Sequence, residues 1–226
     1  VVSCSLTNDI KTVTTHKGTY SAKVVIIATG AYAKSLDVNN EKQFLGKGLS
    51  YCATCDGNFF KDKVVTVVGG GNTSMVDCLY LSNIAKKIYL VHRREVFRAQ
   101  ESTLNKVKAL ALGKDAKIEI LTNYVVTDLI GDEKLQKIEI LNKLTNEKRY
   151  LQTDGIFIAI GRKPDTELFA NQVKLTNDGF IETNEKMQTN LKNVYAIGDV
   201  RNTTLRQIVT ACSDGAVAVM DFVREN

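Results

Sequence analysis

The stretch Tyr51 to Arg98 decides the fold, because it holds two short motifs and the two strands that surround the second one. The first motif is Cys52-Ala53-Thr54-Cys55-Asp56-Gly57, and the second is Gly69-Gly70-Gly71-Asn72-Thr73-Ser74. Apolar runs at Val64 to Val68 and at Ile88 to Val91 flank the second motif and predict two buried strands with a helix between them. This pattern is typical of a βαβ unit.

The glycine motif of such a unit binds the phosphates of a dinucleotide. Gly69 allows the tight turn, Gly71 lets the backbone approach a pyrophosphate, and the small Ser74 lets the helix pack closely on the strand. Asn72 and Thr73 lie in the first helical turn, where free N–H groups favour negative charge. We therefore predict that this loop binds a dinucleotide.

The end of the second strand indicates which dinucleotide is bound. An NAD site places Asp or Glu about 20 residues beyond the glycines, where it accepts hydrogen bonds from the ribose. This chain has His92, Arg93 and Arg94 there, with Arg98 one helical turn later. Guanidinium groups form paired hydrogen bonds with a phosphate, so we predict NADPH. The alternative is a solvated basic start to a helix.

The Cys52/Cys55 pair is either a redox centre or half of a zinc site. A structural zinc needs four ligands. The remaining candidate ligands are scattered along the chain without the spacing of a metal site: Cys4, Cys78, Cys212, His16 and His92. We therefore predict a redox pair and no metal.

A redox disulfide next to an NADPH loop requires a flavin. NADPH delivers a hydride, whereas a disulfide reacts through thiolates, and a flavin usually mediates between them. The segment Asn193 to Val200 is a buried strand that ends in Gly198-Asp199, and it supplies a flavin signal.

Five motifs, in order, closely resemble the low-molecular-mass thioredoxin reductases of bacteria, which are FAD- and NADPH-dependent pyridine nucleotide-disulfide oxidoreductases. They are Cys52 to Gly57, Gly69 to Ser74, Val91 to Ala99, Tyr195 to Val200, and Arg206 to Ile208. The resemblance covers nearly the whole chain.

The resemblance implies an α/β fold with two Rossmann-like, three-layer domains that carry antiparallel β meanders. An NADPH-binding domain at residues 33–161 is inserted into an FAD-binding domain formed by residues 1–32 and 162–226. The family's first FAD segment, with its Gly-x-Gly-x-x-Gly motif, is not in this sequence. By comparison with the family, we expect roughly 80 to 90 further residues before Val1.

Hydrophobic spacing predicts further elements beyond the motifs. Helices are predicted at Ser102 to Leu112 and at Leu205 to Val223. A hairpin is predicted from Gln136 to Asn142 and Lys148 to Thr153, followed by a buried strand at Gly155 to Gly161.

The resemblance also implies the activity, NADPH-dependent reduction of the thioredoxin disulfide through FAD and the cysteine pair. Cys55 is then the sulfur nearer the flavin, and Cys52 is the thiol more available to the partner. Asp56 would donate a proton to the leaving thiolate; the alternative is a turn residue before Gly57.

Cofactor contacts are carried over onto matching positions of this sequence. The predicted NADPH residues are Gly69, Gly71, Asn72, Thr73, Ser74, His92, Arg93, Arg94, Arg98, Gly161 and Arg162. The predicted FAD residues are Thr29, Gly30, Gly198, Asp199, Arg206, Gln207 and Ile208. Among the latter, Asp199 would hold the ribityl or phosphate side, and Arg206 to Ile208 would line the ring.

The cysteine pair and the glycine loop belong to one predicted domain, and both must reach the flavin. We therefore expect the inserted domain to rotate on two connections, near Ala31 to Lys34 and near Gly161 to Pro164. The resemblance implies the same alternation.

Composition limits the other possibilities. The net charge of +5 is spread along the chain, which predicts no nucleic-acid patch, and no apolar run approaches the length of a membrane span. Five cysteines with one close pair favour a reducing compartment, which we predict to be the cytoplasm.

The resemblance implies a homodimer. Two alternatives remain, a flavoprotein reductase of a peroxiredoxin system and a non-catalytic dinucleotide-binding or redox-sensing module.

Overall fold

The computed structural model describes residues 1–225, which form two compact units. Unit 1 comprises residues 1–32 and the chain from Arg162 onward, and unit 2 comprises residues 33–161. The strands are β1 (Ser3–Ser5), β2 (Lys11–Thr15), β3 (Gly18–Ala22), β4 (Val25–Ile27), β5 (Ala31–Ala33), β6 (Leu49–Ser50), β7 (Val64–Val68), β8 (Lys87–His92), β9 (Ile118–Thr122), β10 (Tyr124–Gly131), β11 (Leu135–Asn142), β12 (Lys148–Gln152), β13 (Gly155–Ile158), β14 (Arg162–Pro164) and β15 (Val194–Ala196). The helices are α1 (Glu41–Phe44), α2 (Ala53–Asp56), α3 (Asn72–Leu81), α4 (Glu101–Ala109) and α5 (Ile208–Glu225), with 3₁₀ turns at Gly57–Phe60 and Gly198–Val200.

Unit 2 is built on a parallel sheet with strand order β6-β13-β7-β8-β9. Helix α3 connects β7 to β8, and helix α4 connects β8 to β9. Parallel neighbours require such crossover helices, because a short turn cannot return the chain to the same end of the sheet. The predicted βαβ unit is therefore present at the centre of this sheet.

Successive residues of the central strands contribute alternately to two separate hydrophobic cores. Val65 and Val67 pack with Met75, Cys78 and the other buried residues of the helices on one face. Val68 and Val91 pack on the other face with residues of the antiparallel meander. Because successive side chains of a strand point to opposite faces, this central sheet is buried on both sides.

The meander consists of β10, β11 and β12, paired antiparallel in chain order. It buries Leu129, Ile138 and Ile140 against the parallel sheet. Two register shifts interrupt β10, after Val126 and after Ile130. Unit 2 therefore has three layers, with helices, a parallel sheet and a meander, and the predicted hairpin is part of the third layer.

Unit 1 contains an antiparallel sheet of β1, β2 and β3, a parallel pair of β15 with β4, and a pair of β14 with β5. Its largest core includes Leu6, Ile27, Ile181, Val194 and Ala196. Helix α5 packs through Ala218 on Tyr195 and Met187. The predicted α/β class, with parallel and antiparallel sheets, is confirmed.

Two predicted helices differ from the structure at their ends. Helix α4 stops at Ala109 rather than Leu112, because the N–H of Ala111 bonds to the carbonyl of Lys108 in a tighter turn. Helix α5 begins at Ile208 rather than Leu205, because the Thr210 hydroxyl accepts from the N–H of Gln207 and holds the preceding residues in a turn. Among residues 1–225, the helices are all too short or too polar to cross a membrane.

Candidate active site

The two cysteines of the first motif form a disulfide at the start of the short helix α2. Cys52 is the extended residue before the helix, and its sulfur accepts the backbone N–H of Cys55 at 3.2 Å. This geometry also suits the reduced pair, because an N–H directed at Cys52 Sγ stabilises a thiolate there. Cys55 is exposed and Cys52 is half-buried, whereas the resemblance gave Cys52 the greater access, so the order of attack stays a prediction.

Asp56 is held beside the disulfide by a residue that was not predicted. The hydroxyl of Ser50, which is 4% exposed, donates to Asp56 Oδ2 at 2.6 Å. The same hydroxyl oxygen accepts the N–H of Cys52 at 3.0 Å, and the N–H of Asp56 donates to the carbonyl of Cys52 at 3.1 Å. Asp56 is thus fixed near the cysteines by hydrogen bonds rather than by a turn alone.

The glycine loop runs from the end of β7 into α3, and its three glycines have different neighbours. A Cβ on Gly69 would collide with the carbonyl of Ala159 and approach Ser74, which explains why both positions hold small residues. A Cβ on Gly70 would strike the ring of His92. A Cβ on Gly71 would meet nothing within 4 Å, so the space beside this residue is open to a ligand.

His92 is the last residue of β8, and its side chain is buried. It is 6% exposed, its ring stacks on Phe97 with centroids 4.7 Å apart, and its Nε2 lies 3.2 Å from the carbonyl oxygen of Val96. Burial lowers the pKa of His92, and the charges of Arg98, Arg93 and Arg94 lower it further. The buried ring packs against Gly70 and helps to position the glycine loop, and contact of His92 with a phosphate stays a prediction.

The loop after β8 is tied to the glycine loop by two hydrogen bonds. The N–H of Arg98 donates to the carbonyl of Gly70 at 2.8 Å, and the N–H of Gln100 donates to Asn72 Oδ1 at 2.7 Å. Both loops leave the carboxyl ends of neighbouring parallel strands, where nucleotides bind in open α/β sheets.

The three arginines of this loop are Arg93, Arg94 and Arg98, and all three are exposed. None of them forms an ion pair with an acidic residue in the part of the chain that the structure describes. Unpaired guanidinium groups beside an open glycine loop are suited to a bound phosphate.

Three of the predicted flavin residues line a cavity in unit 1. The cavity has a volume of about 270 Å³, and its lining includes Gly30, Gly198 and Asp199. Thr29 lies next to it and donates its hydroxyl to the carbonyl of Asp165 at 2.6 Å. Asp214, which was not predicted, accepts the N–H of Gly198 at 3.0 Å and so fixes the turn that presents Asp199.

The last predicted flavin residues lie immediately before and at the start of α5. Arg206 stacks on Phe180 at 4.2 Å, and its buried Nε has no hydrogen-bond partner within residues 1–225. Gln207 bonds through its N–H to Thr210, and Ile208 is exposed. A buried donor without a partner is costly in a folded protein, so Arg206 is suited to an additional acceptor.

Gly161 and Arg162, both predicted for NADPH, lie on opposite sides of the boundary between the units. The carbonyl of Gly161 accepts the N–H of Lys34 within unit 2. Arg162 forms an ion pair with Asp199 at 3.6 Å within unit 1. Arg162 is therefore paired with a predicted flavin residue within unit 1, and its contact with NADPH stays a prediction.

Comparison with known proteins identifies the family. The sequence pattern of the family "Pyridine nucleotide-disulphide oxidoreductase" matches residues 3–215. The chain belongs to this family. Thioredoxin reductase of Streptomyces clavuligerus is 42% identical over 226 residues, which cover 99% of this chain and 69% of the relative.

Solved structures show the same relationship. The thioredoxin reductase of Streptococcus pyogenes superposes with a TM-score of 0.87 at 36% identity, covering 99% of this chain and 73% of that one. That of Giardia duodenalis gives a TM-score of 0.88 at 32% identity, covering 98% and 72%. The predicted family and the predicted class of oxidoreductase are therefore confirmed, and the Cys52–Cys55 disulfide fits the redox centre of a disulfide reductase of this family.

Proposed function

We propose that this oxidoreductase transfers electrons from NADPH, through FAD, to the disulfide of thioredoxin. The observation that carries the proposal is the Cys52–Cys55 disulfide in the same unit as the glycine loop and its unpaired arginines. The thioredoxin reductases that resemble this chain over nearly its whole length support the choice of substrate.

NADPH is held by the two tied loops of unit 2. Gly69, Gly71 and the N–H groups at the start of α3, from Asn72 to Ser74, form the site for the pyrophosphate. Arg93, Arg94 and Arg98 bind the 2′-phosphate, which distinguishes NADPH from NADH.

Part of the FAD molecule would bind at the cavity of unit 1, whose volume of about 270 Å³ is smaller than the whole cofactor. Gly30 and Gly198 have φ values of 75° and 70°, and a Cβ on Gly30 would meet nothing within 4 Å, which leaves its backbone open to a ligand at the cavity wall. Arg162 offsets the charge of Asp199. The buried Nε–H of Arg206 has no hydrogen-bond partner within residues 1–225 and can donate to the cofactor. When bound, FAD supplies the conversion of a hydride into two electrons that a disulfide can accept.

The cysteines then pass the electrons to the partner by thiol–disulfide exchange. Two electrons and two protons convert the Cys52–Cys55 disulfide to two thiols, and one of them, after losing its proton, attacks the disulfide of thioredoxin as a thiolate to form a mixed disulfide. The second cysteine resolves it, which restores the Cys52–Cys55 bond, and Asp56 donates the proton that the leaving thiolate requires. The net reaction consumes NADPH, a proton and one disulfide, and it yields NADP⁺ and a dithiol.

A protein substrate needs a surface to bind as well as a sulfur to attack. Phe59 lies four residues beyond Cys55, in the 3₁₀ turn after α2, and is 76% exposed. A large apolar side chain exposed beside a reactive pair supports docking of a folded partner such as thioredoxin. The homodimer and the cytoplasmic location stay predictions.

An anaerobic titration tests the proposal. The FAD-loaded enzyme is expected to consume about two equivalents of NADPH, one for the flavin and one for the disulfide. Added thioredoxin should then restore the oxidised flavin spectrum. An enzyme that takes up NADPH but is not reoxidised by thioredoxin would exclude this substrate.

Removal of the Ser50 hydroxyl should slow the exchange step. In Ser50→Ala, Asp56 loses the hydrogen bond that fixes its carboxyl group beside the disulfide, so we expect kcat with thioredoxin to fall about tenfold while KM for NADPH stays unchanged. Ser82→Ala is the matched control, because that buried hydroxyl donates to the carbonyl of Leu79 on the same unit. Wild-type turnover in Ser50→Ala would exclude a role for Ser50.

A further inference from the structure

Glu41 is a buried carboxylate that is surrounded by hydrogen-bond donors. It is 7% exposed, and no Lys, Arg or His within residues 1–225 forms an ion pair with it. Oε1 accepts from the Tyr51 hydroxyl at 2.7 Å and from the N–H of Leu36 at 3.0 Å. Oε2 accepts from the Ser35 hydroxyl at 2.6 Å and from the N–H of Asp37 at 3.1 Å.

These four donors keep Glu41 charged despite its burial. Burial by itself raises the pKa of Glu41, but the bonds from Ser35, Leu36, Tyr51 and Asp37 outweigh it, so the pKa lies below its ordinary value. A buried carboxylate needs such donors, because a charge without partners is expensive in the protein interior.

The four hydrogen-bond donors to Glu41 belong to two segments of unit 2, one at its beginning and one next to the redox pair. Ser35 to Asp37 belong to the connecting segment, the first residues of unit 2 after the chain enters it at Ala33. Tyr51 directly precedes Cys52, the first cysteine of the disulfide. One side chain therefore links the segment by which the chain enters unit 2 to the backbone of the redox motif.

We propose that Glu41 is a positioning residue for the redox pair, holding the backbone before Cys52 against the connecting segment through the Tyr51 hydroxyl. This inference rests on the proposed function. Electron transfer to a disulfide depends on how its sulfur atoms are placed, and small displacements of a reacting group reduce rates strongly. Loss of the link should therefore slow the steps that use the cysteines and leave hydride transfer from NADPH unaffected.

Tyr51→Phe tests the link by removing one hydroxyl. Two acceptors separate the steps, since ferricyanide takes electrons from reduced flavin and the aromatic disulfide DTNB takes them from the cysteines. We expect kcat of NADPH oxidation with DTNB to fall about tenfold and that with ferricyanide to change less than about twofold. Thioredoxin should behave as DTNB does.

Tyr150→Phe is the matched control. Tyr150 also donates its hydroxyl to a carboxylate of unit 2, Glu139 Oε2 at 2.8 Å, but on strand β12 of the meander. This variant should retain both activities. Equal losses with both acceptors in Tyr51→Phe, or an unchanged rate with DTNB, would overturn the proposal.

A second variant shows whether Tyr51 acts through Glu41. Glu41→Gln should reproduce the selective loss with DTNB, and the double variant should lose no more than Glu41→Gln alone, because both changes break one interaction. Additive losses would overturn the link. DTNB keeps this test separate from the proposed function: a wild-type enzyme active with DTNB but inactive with thioredoxin would refute the substrate only.

Discussion

Cys55→Ser and Cys52→Ser should each lower NADPH-dependent reduction of thioredoxin by at least about a thousandfold, because the two sulfurs act as a unit and neither can exchange disulfides alone. Reduction of the flavin by NADPH should remain at its wild-type rate, since that hydride transfer precedes any disulfide chemistry. Stopped-flow absorbance of the flavin measures the first step, and steady-state oxidation of NADPH with thioredoxin measures the complete cycle.

Cys78→Ser is the matched control for the same chemical change at a buried thiol. Cys78 packs in the helical core of unit 2, and burial together with the nearby Asp77 raises the pKa of its thiol, so it stays protonated. This variant should show only a modest loss of stability. Turnover of thioredoxin by Cys55→Ser would show that the electrons take another route.

Combined replacement of Arg93 and Arg94 by alanine should lower kcat/KM for NADPH by about a hundredfold or more. Each charge-assisted hydrogen bond to the 2′-phosphate contributes about 1.5 to 3 kcal/mol, and within residues 1–225 these two exposed guanidinium groups form no ion pair that would compete with it. NADH lacks that phosphate, so kcat/KM for NADH should barely change. Steady-state kinetics with both nucleotides measures the ratio.

Arg149→Ala serves as the control for loss of positive charge. Arg149 lies on strand β12 of the same unit, where its guanidinium pairs with Glu119 at 3.6 Å and stacks on Tyr124. We expect this variant to keep the preference for NADPH. A parallel decrease with NADPH and NADH in the Arg93/Arg94 variant would mean that the loop supports nucleotide binding generally and does not read the 2′-phosphate.

The βαβ unit was predictable because its signals are adjacent in the chain. An apolar run, a glycine turn and a second apolar run impose strand, loop and helix through local backbone preferences and side-chain periodicity. The loop of Arg93, Arg94 and Arg98 follows β8 directly, so its position at the carboxyl end of the sheet followed from the order of elements.

The supporting contacts of the site were not predictable in this way. The polar connection between Ala31 and Leu49 showed no motif, yet it holds Glu41, the acceptor for Tyr51. No local pattern showed that the ring of His92, which we predict to contact NADPH, packs against Gly70.

The sequence by itself determined the succession of strand, glycine turn, helix and strand in the βαβ unit and the spacing of the cysteines, because each of these signals depends on residues within a few positions of one another. Only the tertiary structure decided the partners of Glu41, the contact of His92 with Gly70 and the ion pair of Arg162 with Asp199. Apart from the bonds of Glu41 to Ser35, Leu36 and Asp37, these contacts join residues separated by 10 or more positions. Their approach depends on how strands register and layers pack, which no local pattern specifies.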